Sequence, residues 1–188
     1  MNCRTRTAIA LLLALWMNSA LAAPSVRDCQ ATVAKFKDLG NVSELMQQAY
    51  GYAVLPTIGK GGIGIGGAAG RGCVFAGGEH SGNVGMGQIT IGFQLGGQAY
   101  SQLILFRSVD IYEEFTRGNF EFGADATAVA LTYGASATAN TQGASVSAGD
   151  TQGVGMWKRG MAIFTLAKGG LMYEARIGGQ KYDFKPID

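Results

Sequence analysis

The sequence predicts a β-rich α+β fold: an antiparallel, glycine-rich sandwich or barrel-like sheet with helices on its N-terminal side and one internal helix. Three observations carry that reading. Of 30 glycines only Gly40 precedes Gly51, so composition changes abruptly there. Before that point apolar residues recur every three or four positions; after it they recur every two. Glycine clusters then divide the chain into short alternating stretches, the pattern of many antiparallel strands. Glycine weakens a strand, so this many of them points to tight sheet curvature or close backbone packing.

The helical part comes first. Val26, Cys29, Val33 and Phe36 share a helical face, with Arg27, Lys35, Lys37 and Asp38 between them. Ser25 is placed to cap this helix and Gly40 to end it. A second short helix fits Ser43–Tyr50, with Leu45, Met46 and Ala49 toward one side. Short strands fit Tyr52–Ile58, Gly61–Gly67, Gly72–Gly77, Gln102–Phe106, Thr127–Tyr133, Ala162–Ala167, Leu171–Arg176 and Lys181–Phe184. The clearest alternation is Met86–Ala99. There Gln88, Thr90, Gln94 and Gln98 fall on one face, and Ile89, Ile91, Phe93, Leu95 and Ala99 on the other. Gly77-Gly78, Gly96-Gly97, Gly169-Gly170 and Gly178-Gly179 suit turns or bulges. One helix interrupts the strands. Ser108 caps Val109–Arg117, Asp110 sits in its positive first turn, and Gly118 ends it. Asn140–Thr151, rich in Ser, Thr, Gly and Ala, has the composition of an exposed hairpin tip or mobile loop.

Residues 1–22 read as a cleavable secretory leader. Arg4 and Arg6 precede an apolar run from Ala8 to Trp16, and Ala20 and Ala22 form the Ala-x-Ala pattern of a signal peptidase site. Cleavage is expected before Ala23, since proline at the new N-terminus would obstruct cleavage before Pro24. The run is shorter than the roughly 20 residues that span a bilayer. No cysteine stands where a lipoprotein signal needs one. The expected organisation is thus a leader at 1–22, a helical segment at 23–50 and a β region at 51–188, the last two forming one domain. The protein is expected in the periplasm.

Removing the leader removes Arg4 and Arg6, leaving 13 basic against 13 acidic residues. A net charge near zero lacks the basic field that nucleic-acid binding needs. Membrane contact would have to come from a local patch plus apolar surface. Cys29 and Cys73 remain; an oxidising compartment allows a disulfide, and two buried free thiols are the alternative. With His80 as the only histidine, no metal site assembles.

Catalytic readings fail on the residues. Gly62-x-Gly64-x-x-Gly67 matches a dinucleotide fingerprint, yet the stretch Ala68–Phe75 is broken by glycine and then strand-like, where a helix is required. Ser81 beside His80 lacks a nucleophile elbow, and His80 reads as a solvated loop residue. Glu121 and Asp125 share one short segment rather than meeting across strands. Asp125, within an otherwise apolar or small stretch, reads as a turn aspartate or as an acid in a pocket. Lys60, Arg71, Lys158, Arg159 and Lys168 each adjoin glycine or an apolar run. At strand ends they could hold phosphate headgroups, or serve as solvated charges that guard strand edges. No enzyme and no cofactor is expected.

Several segments together resemble the SYLF domain family. They are Ala53-Val54-Leu55-Pro56, Lys60-Gly61-Gly62-Ile63-Gly64-Ile65-Gly66-Gly67 and Gly70-Arg71-Gly72. Further on come Gly92-Phe93-Gln94-Leu95-Gly96-Gly97-Gln98, Phe122-Gly123-Ala124-Asp125-Ala126, Lys158-Arg159-Gly160-Met161 and Gly169-Gly170. The resemblance implies a non-catalytic lipid-binding module, with phospholipid or a membrane surface as partner. It also implies, for eukaryotic members, phosphoinositide binding aided by an N-terminal amphipathic helix, and for some an association with actin. Export and the lack of an SH3 or FYVE partner domain argue against actin here, and the N-terminal helix has only a modest basic face, Arg27, Lys35 and Lys37 against Asp28 and Asp38. The competing reading is a small outer-membrane β-barrel, whose strands also alternate. Against it stand the non-aromatic C-terminus and the helix at Val109–Arg117.

Overall fold

The computed structural model describes residues 23–63, 65–91, 97–124, 126, 128–131, 157–168 and 177–187. The leader, Asp125, Asn140–Thr151 and the expected strand at Leu171–Arg176 lie outside the described residues.

The chain opens with helices α1 (Val26–Lys37) and α2 (Val42–Gln47). Ser25 and Asp28 form a reciprocal capping box. The Asp28 backbone N–H donates to Ser25 Oγ at 3.2 Å, and the Ser25 N–H donates to Asp28 Oδ2 at 3.1 Å. Hydrogen bonds from the Ser25 hydroxyl and then its backbone hold the Asp28 carboxyl below the usual carboxylate range. Gly40 takes a φ of 55°, the left-handed turn that ends a helix and that glycine enters without strain.

The strands are β1 (Gly51–Ile63), β2 (Ile65–Ala76), β3 (Glu79–Ile91), β4 (Gly97–Phe106), β5 (Phe120–Glu121), β6 (Val129–Leu131), β7 (Met161–Lys168) and β8 (Lys181–Pro186). Helix α3 (Val109–Thr116) separates β4 from β5. All eight strands join one sheet in the order β5-β8-β3-β2-β1-β4-β7-β6. Every pairing is antiparallel except β6 with β7. Of the two forms expected, the structure is therefore the single curled sheet, not a pair of stacked sheets.

The strands are longer than the glycine spacing suggests. The expected strand at Gly61–Gly67 is instead divided between two strands, its first three residues ending β1 and its last three opening β2. The expected piece at Gly72–Gly77 falls in the same β2, which pairs with β1 from Ile63↔Ile65 to Gly51↔Ala76. Backbone pairing continues through glycines because both partners lack side chains there, as at Gly62↔Gly66 and Gly61↔Gly67. Gly77 and Gly78 do form the turn expected of them, at φ 58° and 89°.

Both faces of the sheet carry a core, which follows from the period of two. Ala53, Leu55, Ile104 and Phe106 face α3, where Phe115 is fully buried beside Tyr182. Val54, Leu103, Leu105 and Phe164 face α1 and α2, meeting Phe36, Val42 and Leu45. A membrane-spanning barrel shows one continuous apolar face to lipid; among the described residues helices cover part of each face.

Within the expected alternation at Met86–Ala99, Gln88 and Ile89 come out inverted from the usual apolar-inward order. Gln88 is buried on the α3 face, whereas Ile89 is 82 % exposed on the other. The cause is a polar layer inside the sheet. Gln102 Nε2 donates to Gln180 Oε1 at 3.0 Å, Gln180 Nε2 to the Tyr100 hydroxyl at 2.9 Å, and the Tyr182 hydroxyl to Gln102 Oε1 at 2.8 Å. Gln88 joins it by donating to the Gly178 carbonyl at 2.8 Å. Buried amides are tolerated because each finds a partner.

Candidate functional site

The site is built on a bulge in the central strand. Pro56 has no N–H to give to a ladder, so β1 shifts register around it against both neighbours, between Val54 and Thr57 on the β2 side. Against β4 the shift falls between Leu55 and Ile58. The freed Pro56 carbonyl accepts a 2.8 Å hydrogen bond from the buried Ser101 hydroxyl. Strand β2 must pass this bulge closely. A Cβ at Gly72 would lie 2.9 Å from Leu55 Cα, and one at Gly70 would lie 2.9 Å from the Thr57 carbonyl oxygen. Gly70-Arg71-Gly72 is thus a packing requirement of the bulge, and it fixes Arg71 opposite Thr57.

The five candidate cations separate into three places. Arg71 and Lys168 lie on the sheet face that α1 and α2 cover in part. Lys60 belongs to the opposite face, since it pairs with Ala68 of the α3-side core. Lys158 and Arg159 sit at the far end of the sheet, about 23 Å along β7 from Lys168 at 3.3 Å per residue. Their segment is a turn. Lys158 N–H donates to the Met161 carbonyl at 2.8 Å, the Met161 N–H returns a 3.0 Å bond, and Arg159 adopts φ 50°. Gly160 is required beneath Ile111, 2.7 Å from where its Cβ would fall. Nearby, Arg107 stacks over Trp157 at 5.9 Å.

Lys168 has the more unusual surroundings. Its Nζ reaches across β4 and donates a 2.6 Å hydrogen bond to Thr57 Oγ1. Burial first, and then the nearby charge of Lys35 on α1, hold its ammonium below the usual lysine range. Lys35 and Thr57 are members of this cluster that the sequence does not single out, because a helix and two non-adjacent strands bring them together. On the opposite face burial pushes the Tyr100 hydroxyl up to about 12, against the opposing hydrogen bond from Gln180. Burial also pushes Tyr182 well above its usual value. The inner polar layer is therefore uncharged at neutral pH.

Cys29 and Cys73 are joined by a disulfide, with a Cα–Cα distance of 6.2 Å, tying α1 to β2. His80 lies in β3 and not in a loop. Its ring stands 5.4 Å from that of Phe75, and its Nε2 is buried without a partner. Three residues before Asp125 in sequence, Phe122 is held by two backbone bonds: its N–H donates to the Gln180 carbonyl, and its carbonyl accepts from the Gly179 N–H. Among the described residues no three metal-ligating side chains cluster. The Gly62-x-Gly64-x-x-Gly67 segment runs from β1 into β2, with no helix to receive a pyrophosphate.

The Ysc84 family, described as Las17-binding protein actin regulator, matches residues 87–184, just over half of the chain. The chain belongs to the Ysc84 family. This is the family whose SYLF domain the motifs resemble. The match runs from β3 into β8, so it includes Lys168 and the Lys158-Arg159-Gly160 turn, while the Pro56 bulge and Gly70-Arg71-Gly72 precede it. No curated protein matches the chain.

Proposed function

We propose that this Ysc84-family chain is an exported, non-catalytic protein that binds phospholipid or a related amphiphile at a membrane surface. One observation carries the reading beyond family membership. An isoleucine, Ile89, stands 82 % exposed on the sheet face that also bears Arg71 and Lys168. Apolar exposure flanked by cations suits the interface between anionic headgroups and acyl chains. The leader at residues 1–22 supports export to the periplasm, with Ala23 as the first mature residue. That destination sets this chain apart from the actin regulation in the family description.

The test is co-sedimentation of mature protein with phosphatidylglycerol and with phosphatidylcholine vesicles at low and high salt. Binding is expected to the anionic vesicles and to weaken as salt rises, since exposed charges are screened over about 10 Å at 0.1 M. Binding to neither vesicle rejects the function. N-terminal sequencing of exported protein is expected to begin at Ala23; a sequence beginning at Met1 rejects the leader.

A further inference from the structure

Lys168 is held at a neutral hydroxyl, that of Thr57, and Lys35 on α1 is near enough for its charge to act on Lys168. Thr57 Oγ1 accepts from Lys168 Nζ at 2.6 Å, which leaves its own O–H as a donor. Lys168 keeps two further N–H donors, and Lys35 brings three. Among the described residues neither lysine forms an ion pair. At the C-cap of α1, Asp38 follows Lys35 by three residues. The described acids on the strands of this face are distant: Asp183 of β8 pairs with Gly85, and Glu121 is engaged with Lys181 at 3.4 Å. Strand β8 is three strands from β1, about 14 Å at the usual spacing and beyond the screening length at 0.1 M salt. Among the described residues no carboxylate is paired with either lysine, so the cluster presents donors and positive charge, the complement of a phosphate group.

Among the described residues the ground beside it is bare. Gly59 pairs with Ala99 on one side and Ala69 on the other, and a Cβ placed at Gly59 would meet nothing within 4 Å. One row farther out, Gly67 pairs with Ile89. A headgroup at Lys168 would therefore lay its glycerol along bare backbone and direct its apolar part toward an exposed isoleucine.

We propose that Lys35, Thr57 and Lys168 form a recognition site for the phosphate of an anionic phospholipid, with Arg71 at its border and the strip from Gly59 to Ile89 beneath the lipid. This rests on the lipid-binding reading and names its site. A phosphate held at Lys168 would also offset the charge of Lys35 that acts on it.

The experiment uses mature protein and vesicles of phosphatidylglycerol in phosphatidylcholine. Variants Lys35→Gln, Lys168→Gln and the pair are compared with Lys158→Gln/Arg159→Gln, which removes the same charge at the far end of the sheet. Each single substitution is expected to weaken binding about fivefold and the pair about thirtyfold. The far-end control is expected to stay within twofold. Equal losses in both double variants overturn the site while leaving lipid binding intact. If wild type binds no vesicle, the lipid reading fails, and amide NMR with inorganic phosphate decides what is left. Shifts at Thr57 and Lys168 then mean a free-phosphate site and overturn the headgroup assignment; no shifts overturn the anion site as well. Thermal unfolding of each variant checks folding, and these exposed side chains are expected to leave it unchanged.

Discussion

Gly72 shows why a glycine pattern can be visible in a sequence while its cause is not. The motif around it is plain to read, but the need for a bare Cα comes from a bulge sixteen residues earlier in the neighbouring strand. Gly72→Ala would drive a methyl group into the Val54–Leu55 backbone, where nothing flexible can yield. It is expected to cost about 1–3 kcal/mol or more, the range for overpacking. Gly59→Ala, in open space, is expected to be neutral or stabilising by up to about 1 kcal/mol. Urea midpoints of the two variants check the contrast; equal losses would remove the bulge as the reason. Tyr100 makes a second case at this scale. Its hydroxyl ionises near 12 when folded and near 10 when unfolded, so its contribution is whole below pH 10 and lost as pH rises toward 12. Urea midpoints are expected to fall across that window. Tyr100→Phe should flatten the fall while costing about 1 kcal/mol at neutral pH, because the Gln180 amide loses its acceptor. An unchanged slope would show that Tyr100 does not carry the effect. Gln88 and Gln180 are not legible as interior residues, since amides enter a core only when partners from distant strands satisfy them.

At the scale of elements, α1 is legible because its signals are local: Ser25 and Asp28 close the cap within one turn, and its apolar face has period 3.6. Strands β1 and β2 look fragmented in the sequence because mid-strand glycines resemble turns until a partner strand is known. The Cys29–Cys73 bond is a non-local feature that the sequence leaves open between disulfide and free thiols. It closes a separation of 44 residues, which in the chain-entropy account restrains the unfolded chain by about 4 kcal/mol. The Cys29→Ser/Cys73→Ser variant is expected to melt roughly 10 °C lower for a domain of this size. Because α1 carries Lys35 to Lys168, the variant should also lose affinity for anionic vesicles while still folded. A lower melting point with full affinity would show that α1 keeps its place without the bond.

The whole molecule has a direction that no local pattern reveals. The sheet's class is legible from alternation and glycine content, but its strand order is not, because β8 inserts beside β3 and β7 beside β4 by pairings far apart in sequence. That order sends Lys168 and Ile89 to one end and Lys158 and Arg159 to the other. A protein that docks through the first end should lie on a membrane in one orientation. With Cys29 and Cys73 bonded to each other, a thiol introduced by Ile89→Cys or Lys158→Cys can be labelled alone with an environment-sensitive dye. On phosphatidylglycerol vesicles the dye at position 89 is expected to shift to shorter wavelength as it leaves water, and the dye at 158 to stay unchanged. Equal shifts would mean that the protein has no preferred face. A shift at 158 alone would reverse the orientation and move the site to the Lys158–Arg159 turn. Such a result would leave the lysine–threonine cluster without a membrane role, since an end about 23 Å away along β7 would then hold the surface.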